Sequence, residues 1–407
     1  MQRYFSIPII FFFIASSLGL FLRWHFISPL ESVRYPFLLH AHSHIMFVGW
    51  VFNAFYLAYV SSYIRTKWIS RYRLLFVVLQ VLVVGMLFSF PLQGYGLFSI
   101  TFSALHTILA GVFVFLFFQD LKHVNLKNSV SVWFVKTSLF FFLLSSIGPF
   151  SLGFLVANGL GQSNWYYFAV YFYLHFQYNG FFLFGVLGLF FKLLEERNVL
   201  ITKAKVLQAG AIMAISCVPA YFLSVLWANP GWMYHTMGFV AACLQIGSLV
   251  LFTKIFIRNR DAIRSAFNPF SVSLLHIILA AFTVKLVLQL LSVHPEIARL
   301  AYQFRSYVIA YLHLVLLGII TLSLLVWYKE KWFVPLTGYK SAFVLYILGL
   351  LGMELLLIAA PTWSTLLDYP LIVLERGILA FSALLWISAG WFLLISVKSK
   401  KSDAKLT

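Results

Sequence analysis

Uninterrupted apolar runs of about twenty residues return along the whole length of this chain, and they leave little choice of architecture. An α-helix rises about 1.5 Å per residue, so each run can cross a hydrocarbon core of about 30 Å with its backbone hydrogen bonds closed internally. An outer-membrane barrel would alternate apolar and polar residues over segments of about ten, a pattern this chain lacks. With 62% hydrophobic and only 10% charged residues, and a mean hydropathy of +0.94, it is not a soluble domain. The expectation is an all-α polytopic membrane protein forming a single transmembrane domain over residues 1–407.

Twelve spans are expected, at roughly 6–22, 37–63, 74–91, 96–120, 130–157, 166–192, 206–227, 232–256, 270–292, 306–327, 341–360 and 371–396. Basic residues orient them. With both termini in the cytoplasm, 22 Lys and Arg lie inside: Arg3 and those within 65–73, 122–127, 192–205, 254–264, 329–340 and 398–405. Five (Arg23, Arg34, Arg299, Arg305 and Arg376) lie outside. That imbalance across short loops is a positive-inside signal, and an odd number of spans would destroy it. The net charge of +18 therefore marks topology and contact with the lipid bilayer, not nucleic acid. A bacterial-type inner membrane is the implied location. Met1-Gln2-Arg3 precedes an apolar run, but no small-x-small site stands before Arg23, so the first span reads as a retained helix. Cys217 and Cys243 both fall in spans, with neither C-x-x-C nor C-x-x-C-H, so any haem would be held without thioether links.

Within this frame the histidines stand out. His40, His42 and His44 enter span 2 from the outer face. A neutral imidazole is a good ligand for haem iron or copper, and ionisable groups inside a bilayer face a bundle interior where they bind or conduct something. His40 and His44 are four apart and share a face; His42 points nearly opposite, so at most two of the three address one site. His106 lies halfway along span 4 and His235 opens span 8 at the outer surface. His175 and His313 lie eight to ten residues into spans 6 and 10, or about 12–15 Å below the outer surface. A single histidine in an apolar helix is most often a hydrogen-bonded packing residue. It is the shared outer layer that points to a site. His25, His123 and His294 sit at boundaries or in loops, and His276 lies in the inner half of span 9.

Other polar residues mark the same region. Gln177, Tyr178 and Asn179 in span 6 point in different directions, which implies a helix surrounded by protein. Lys136, Lys285 and Glu354 read as buried charges that pair, meet a haem propionate or line a proton path. Lys285 suits a propionate best; Arg299 and Arg305 near the outer mouth are further candidates.

His42-x-His44-x-x-x-x-Gly49-Trp50 resembles the H-x-H-x-x-x-x-G-W stretch of small membrane proteins related to cytochrome oxidase subunit I. More broadly, twelve spans with both ends inside resemble the core subunit of the haem-copper oxidase and nitric oxide reductase superfamily. The resemblance implies axial histidines from spans 2 and 10 to a low-spin haem, here one of His42 or His44 together with His313. It also implies a copper ligand from span 6, where His175 stands five residues before Gly180. The chain departs from that family in two places. Tyr311 stands where the family's helix 10 has the first histidine of H-x-H, and span 7 lacks adjacent histidines. His294-Pro295-Glu296 matches the oxidase H-P-E triplet only in an outer loop. Leu39-His40-Ala41-His42 with Met46 partly resembles the W-H-A-H-E-M stretch of a haem- and copper-containing membrane family linked to nitric oxide tolerance.

The expected function is a haem-binding membrane redox protein with haem b between spans 2 and 10. A copper or second metal site would be held by His175 with His106 or His235. The chain lacks the full ligand set expected for oxygen or nitric oxide reduction, which ranks that oxidoreductase activity below electron transfer or metal sensing; a quinol or a cytochrome would be the electron donor, alongside other membrane subunits. The alternative from another class is a secondary transporter whose histidines relay protons; no repeat relates the two halves of the chain in its favour.

Overall fold

In lipid, each backbone N–H and C=O must find its partner within its own segment, and apolar runs of this length meet that demand as helices. The computed structural model describes residues 1, 4–124, 129–333, 338–367 and 370–403. Every element among them is helical. In chain order these are α1 (Ser6–Ile27), α2 (Tyr35–His44), α3 (Asn53–Tyr63), α4 (Ile69–Gln93), α5 (Leu97–Leu121), α6 (Val130–Ser145), α7 (Ile147–Ala157), α8 (Asn164–His175) and α9 (Leu183–Glu196). The chain continues through α10 (Lys203–Cys217), α11 (Trp232–Arg258), α12 (Arg260–Ala266), α13 (Pro269–Leu291), α14 (Pro295–Gln303), α15 (Arg305–His313), α16 (Leu322–Lys331), α17 (Tyr339–Leu366) and α18 (Leu371–Asp403). The basic positions Arg3, Lys127 and Lys405 lie outside the described residues.

Eleven helical stretches among the described residues are long and apolar enough to cross a membrane. The run at 206–227 behaves differently. Its α-helix, α10, stops at Cys217 after 15 residues, and the chain goes on as short 3-10 turns over Pro219–Ser224 and Leu226–Ala228. The cause is Pro219, whose ring removes a backbone donor and clashes with the preceding turn.

The residues group into two compact units, Met1–Asn125 with Leu324–Thr407, and Leu126–Ser323. In the first, α1 packs against α18 and α2, α17 against α18, and α4 against α5 and α2. Its core is aromatic: Trp50, fully buried, meets Phe12 at 5.1 Å and Tyr328 at 5.8 Å between ring centroids. In the second, α6 packs against α9 and α10 against α11. The Glu195 carboxylate accepts from the Ser131 amide at 2.9 Å and from the Ser129 and Ser131 hydroxyls, tying the start of α6 to the end of α9. Gln177, Tyr178 and Asn179 are all buried, as expected of a helix enclosed by protein. Lys136 is not: it is exposed on α6, so the expectation of a buried charge there is corrected. It lies six residues into the helix, and its long aliphatic stem lets the amine reach the polar boundary.

Three helices change winding along their length. π-helical segments run over Ile45–Phe52, Phe176–Phe182 and Leu314–Thr321. Each begins directly after a histidine (His44, His175 or His313) and holds a glycine five residues beyond it: Gly49, Gly180 or Gly318. Wider winding loosens the ordinary hydrogen-bond ladder, and side chains take up the slack. Asn53 donates to the Gly49 carbonyl at 2.9 Å and exchanges two further bonds with Gln80, at 2.8 and 3.1 Å. Ser138 donates to the Phe181 carbonyl at 2.7 Å. Because Asn53 is fully buried, Asn53→Ala removes the donor to the Gly49 carbonyl and to Gln80 Oε1, while Gln80 Nε2 keeps the Phe76 carbonyl at 2.9 Å. The expected cost is about 2 kcal/mol, read as a lowered midpoint of thermal unfolding in detergent.

Candidate functional site

His42 and His44 stand on the last turn of α2, just before the winding changes. Both rings are half-buried and pinned through the same atom. His42 Nδ1 lies 2.8 Å from the Ala15 carbonyl of α1, and His44 Nδ1 lies 2.9 Å from the carbonyl of His40 one turn back. A carbonyl only accepts, so the proton of each neutral ring sits on Nδ1 and Nε2 carries the lone pair. Neither Nε2 has a hydrogen-bond partner among the described residues.

The two rings face different neighbours. His42 lies over Gly19 of α1, where a Cβ would come within 2.9 Å of its Cε1 atom. His44 stacks on Phe90 of α4 with centroids 4.1 Å apart, edge-on to Tyr95. His40 shares that second side, 4.5 Å from Tyr95. The placement matches the helical-face argument, with His40 and His44 together and His42 turned away. His106, on α5 of the same unit, is buried against Phe52 at 5.1 Å, and its buried Nε2 has no hydrogen-bond partner among the described residues.

In the second unit, His175 is fully buried, and both of its nitrogens are engaged. Nε2 lies 2.8 Å from the Cys217 carbonyl, so it carries the proton and donates. Nδ1 accepts from Asn179 Nδ2 at 3.1 Å, with Ser224 Oγ at 3.4 Å. The Cys217 carbonyl is available because α10 ends there, and the last carbonyls of a helix lack intrahelical donors. In this arrangement both ring nitrogens of His175 are committed to hydrogen bonds within the second unit. Among the described residues, no three or more His, Cys, Asp or Glu side chains converge to hold a metal ion. His235 gives its Nδ1 to the Val293 carbonyl at 2.9 Å, and no hydrogen bond or ring contact links it to His175 among those residues. His106 belongs to the other unit.

Tyr178 and Tyr311 do meet, edge to face at 6.2 Å, and Tyr178 lies 6.4 Å from the His175 ring. His313 is half-buried at the end of α15, opening the third π segment. Lys285 is 2% exposed, with its amine 5.8 Å from the Phe282 ring; neither that amine nor the buried Gln289 Oε1, one turn on, has a hydrogen-bond partner among the described residues. Arg299 is committed to Glu296 at 2.6 Å, and His294 caps α14 by accepting from the Glu296 amide.

Cys217, Asn179 and Ser224 were not anticipated as partners of His175. The signal for Cys217 was Pro219 two residues on, which predicts a helix end with a free carbonyl. No family model matches the chain, and no curated protein matches it either.

Proposed function

We propose that this chain is a haem-binding redox protein of the membrane, with a low-spin haem b held by His313 and by one of His42 and His44. The observation that carries the reading is the pinning of both span-2 imidazoles through Nδ1 to backbone carbonyls. Metal-ligating histidines almost always donate their other ring N–H in this way, which fixes tautomer and orientation and makes the ligating nitrogen more basic. A bis-imidazole haem supplies one-electron transfer, since two nitrogen ligands saturate the iron. The chain's own part is to hold the rings: Ala15 and His40 supply the carbonyls, and Gly19 leaves room for His42. The unpartnered Lys285 amine is suited to a propionate carboxylate. Copper is left out of the proposal because His175 has no nitrogen to offer.

The topology proposed with it has twelve crossings and both termini on the cytoplasmic side of a bacterial-type inner membrane. Eleven crossings would scatter the basic loops over both faces; a twelfth restores the separation. Residues 203–224 can provide it. Fifteen α-helical residues followed by six in 3-10 winding rise about 34 Å, enough for a core of about 30 Å.

Colour is the direct test. The purified protein is expected to show a Soret band and a sharp α-band on reduction, with haem b recovered by extraction. A colourless preparation that moves protons against a solute would instead establish the transporter reading, in which Lys285 serves as a relay.

A further inference from the structure

The first unit also carries a polar cavity that the haem reading does not use. It lies where α4 begins and α5 ends, has a volume of about 450 Å³, and is lined by Trp68, Arg71, Gln119, Asp120, Lys122 and His123. Asp120 does not set its charge. Its two carboxylate oxygens are taken separately, one by the Arg71 guanidinium and the other by the Tyr72 hydroxyl at 2.7 Å. The carboxylate, only 4% exposed, is thereby neutralised in place. Arg71 keeps unused donors, and its Nε is buried with no partner among the described residues. Lys122 and His123 are exposed, and Lys67 adds a further cation at 4.6 Å from the Trp68 ring. Trp68 lies beside His123, with ring centroids 5.5 Å apart and the planes tilted by 52°. The lining is therefore cationic on balance and shaped around forked N–H donors, the arrangement that recognises tetrahedral oxyanions.

We propose that this cavity binds a phosphate group, presented by an anionic phospholipid at the basic face of the membrane. Basic pockets between spans on that face take up lipid headgroups, and each nearby lysine strengthens the attraction. The site would fix α4 against α5 through a lipid whose acyl chains run along the helices. It is independent of haem.

The test uses the full-length protein in detergent with equimolar phosphatidylglycerol and phosphatidylcholine, and native mass spectrometry to count retained lipid. Wild type is expected to hold one phosphatidylglycerol about tenfold more tightly than phosphatidylcholine. Lys67→Gln with Lys122→Gln should reduce that preference to about twofold, while Arg258→Gln with Arg264→Gln, on another basic loop, should leave it unchanged. Should the first pair fail to fold, His123→Gln and Lys122→Gln singly carry the same comparison. Displacement of the lipid by millimolar inorganic phosphate that is itself retained would support the site with a soluble source. Equal retention of both lipids and no retained phosphate, or an undiminished preference in the Lys67→Gln, Lys122→Gln protein, would overturn it.

Discussion

His313→Ala is expected to abolish the reduced low-spin α-band while leaving the protein inserted and monodisperse. Two imidazoles give haem iron a full set of axial ligands; removing one leaves five-coordinate iron, whose bands are broad and shifted. In span 2 the matching loss should come from only one of His42→Ala and His44→Ala. These rings sit on opposite sides of α2, one against Ala15 and Gly19 and the other against Phe90, so a single macrocycle engages one of them. His42 is fixed from a neighbouring helix, His44 by its own; loss of haem on changing Gly19 to Ala would therefore single out His42. His276, exposed on α13, is the control, and His276→Ala should leave the spectrum intact. Full haem content in His313→Ala would remove span 10 from the site, and loss of haem in His276→Ala would void the depth argument behind the whole assignment.

Much of the fold was legible in the residues because membrane helices obey few rules. Apolar length picked out the eleven helical stretches among the described residues that could cross a membrane, and the polar sector around Gln177 foretold an enclosed helix. Hydropathy also counted a span at 206–227, but composition does not register what Pro219 does to winding there. Lys136 misled for a similar reason, since a charge within an apolar run is not a buried charge when its stem reaches the boundary.

The site was legible in part. The division of His40, His42 and His44 between two faces followed from helical geometry alone. No repeat relates the two halves of the chain, but three of its spans carry a threefold echo. Spans 2, 6 and 10 read His42-x-His44, Tyr173-x-His175 and Tyr311-x-His313, each with a glycine five residues after the second position. In all three the winding changes immediately after that histidine. π-helical turns cluster at functional sites, and here they recur at one register. The partners of His175 could not be read from the sequence in the same way, because a carbonyl at a helix end and an amide one turn on carry no compositional mark.

Gly180→Ala is expected to be among the most damaging single methyl groups the chain can receive. A Cβ at this position would stand 2.5 Å from Phe141 Cβ and 2.6 Å from its Cγ. Phe141 Cβ is fixed to the backbone of α6, so no rotamer change relieves the closer overlap, and α6 must move from the second π segment. That motion would strain the bond from Ser138 to the Phe181 carbonyl, which is buried at the same contact. Overpacking of this kind costs about 3 kcal/mol, near the upper end of the usual range. The comparison is Gly111→Ala or Gly153→Ala, where a Cβ meets nothing within 4 Å and the better helix propensity of alanine should hold or raise stability. Thermal unfolding in detergent reads the difference directly. If Gly180→Ala melts with wild type, the close approach of α6 to the π segment is not a constraint, and the glycine shared by the three spans needs another explanation. If it melts early yet retains any bound haem, then His175 and its surroundings stabilise the second unit without touching the iron, as its fully engaged nitrogens imply.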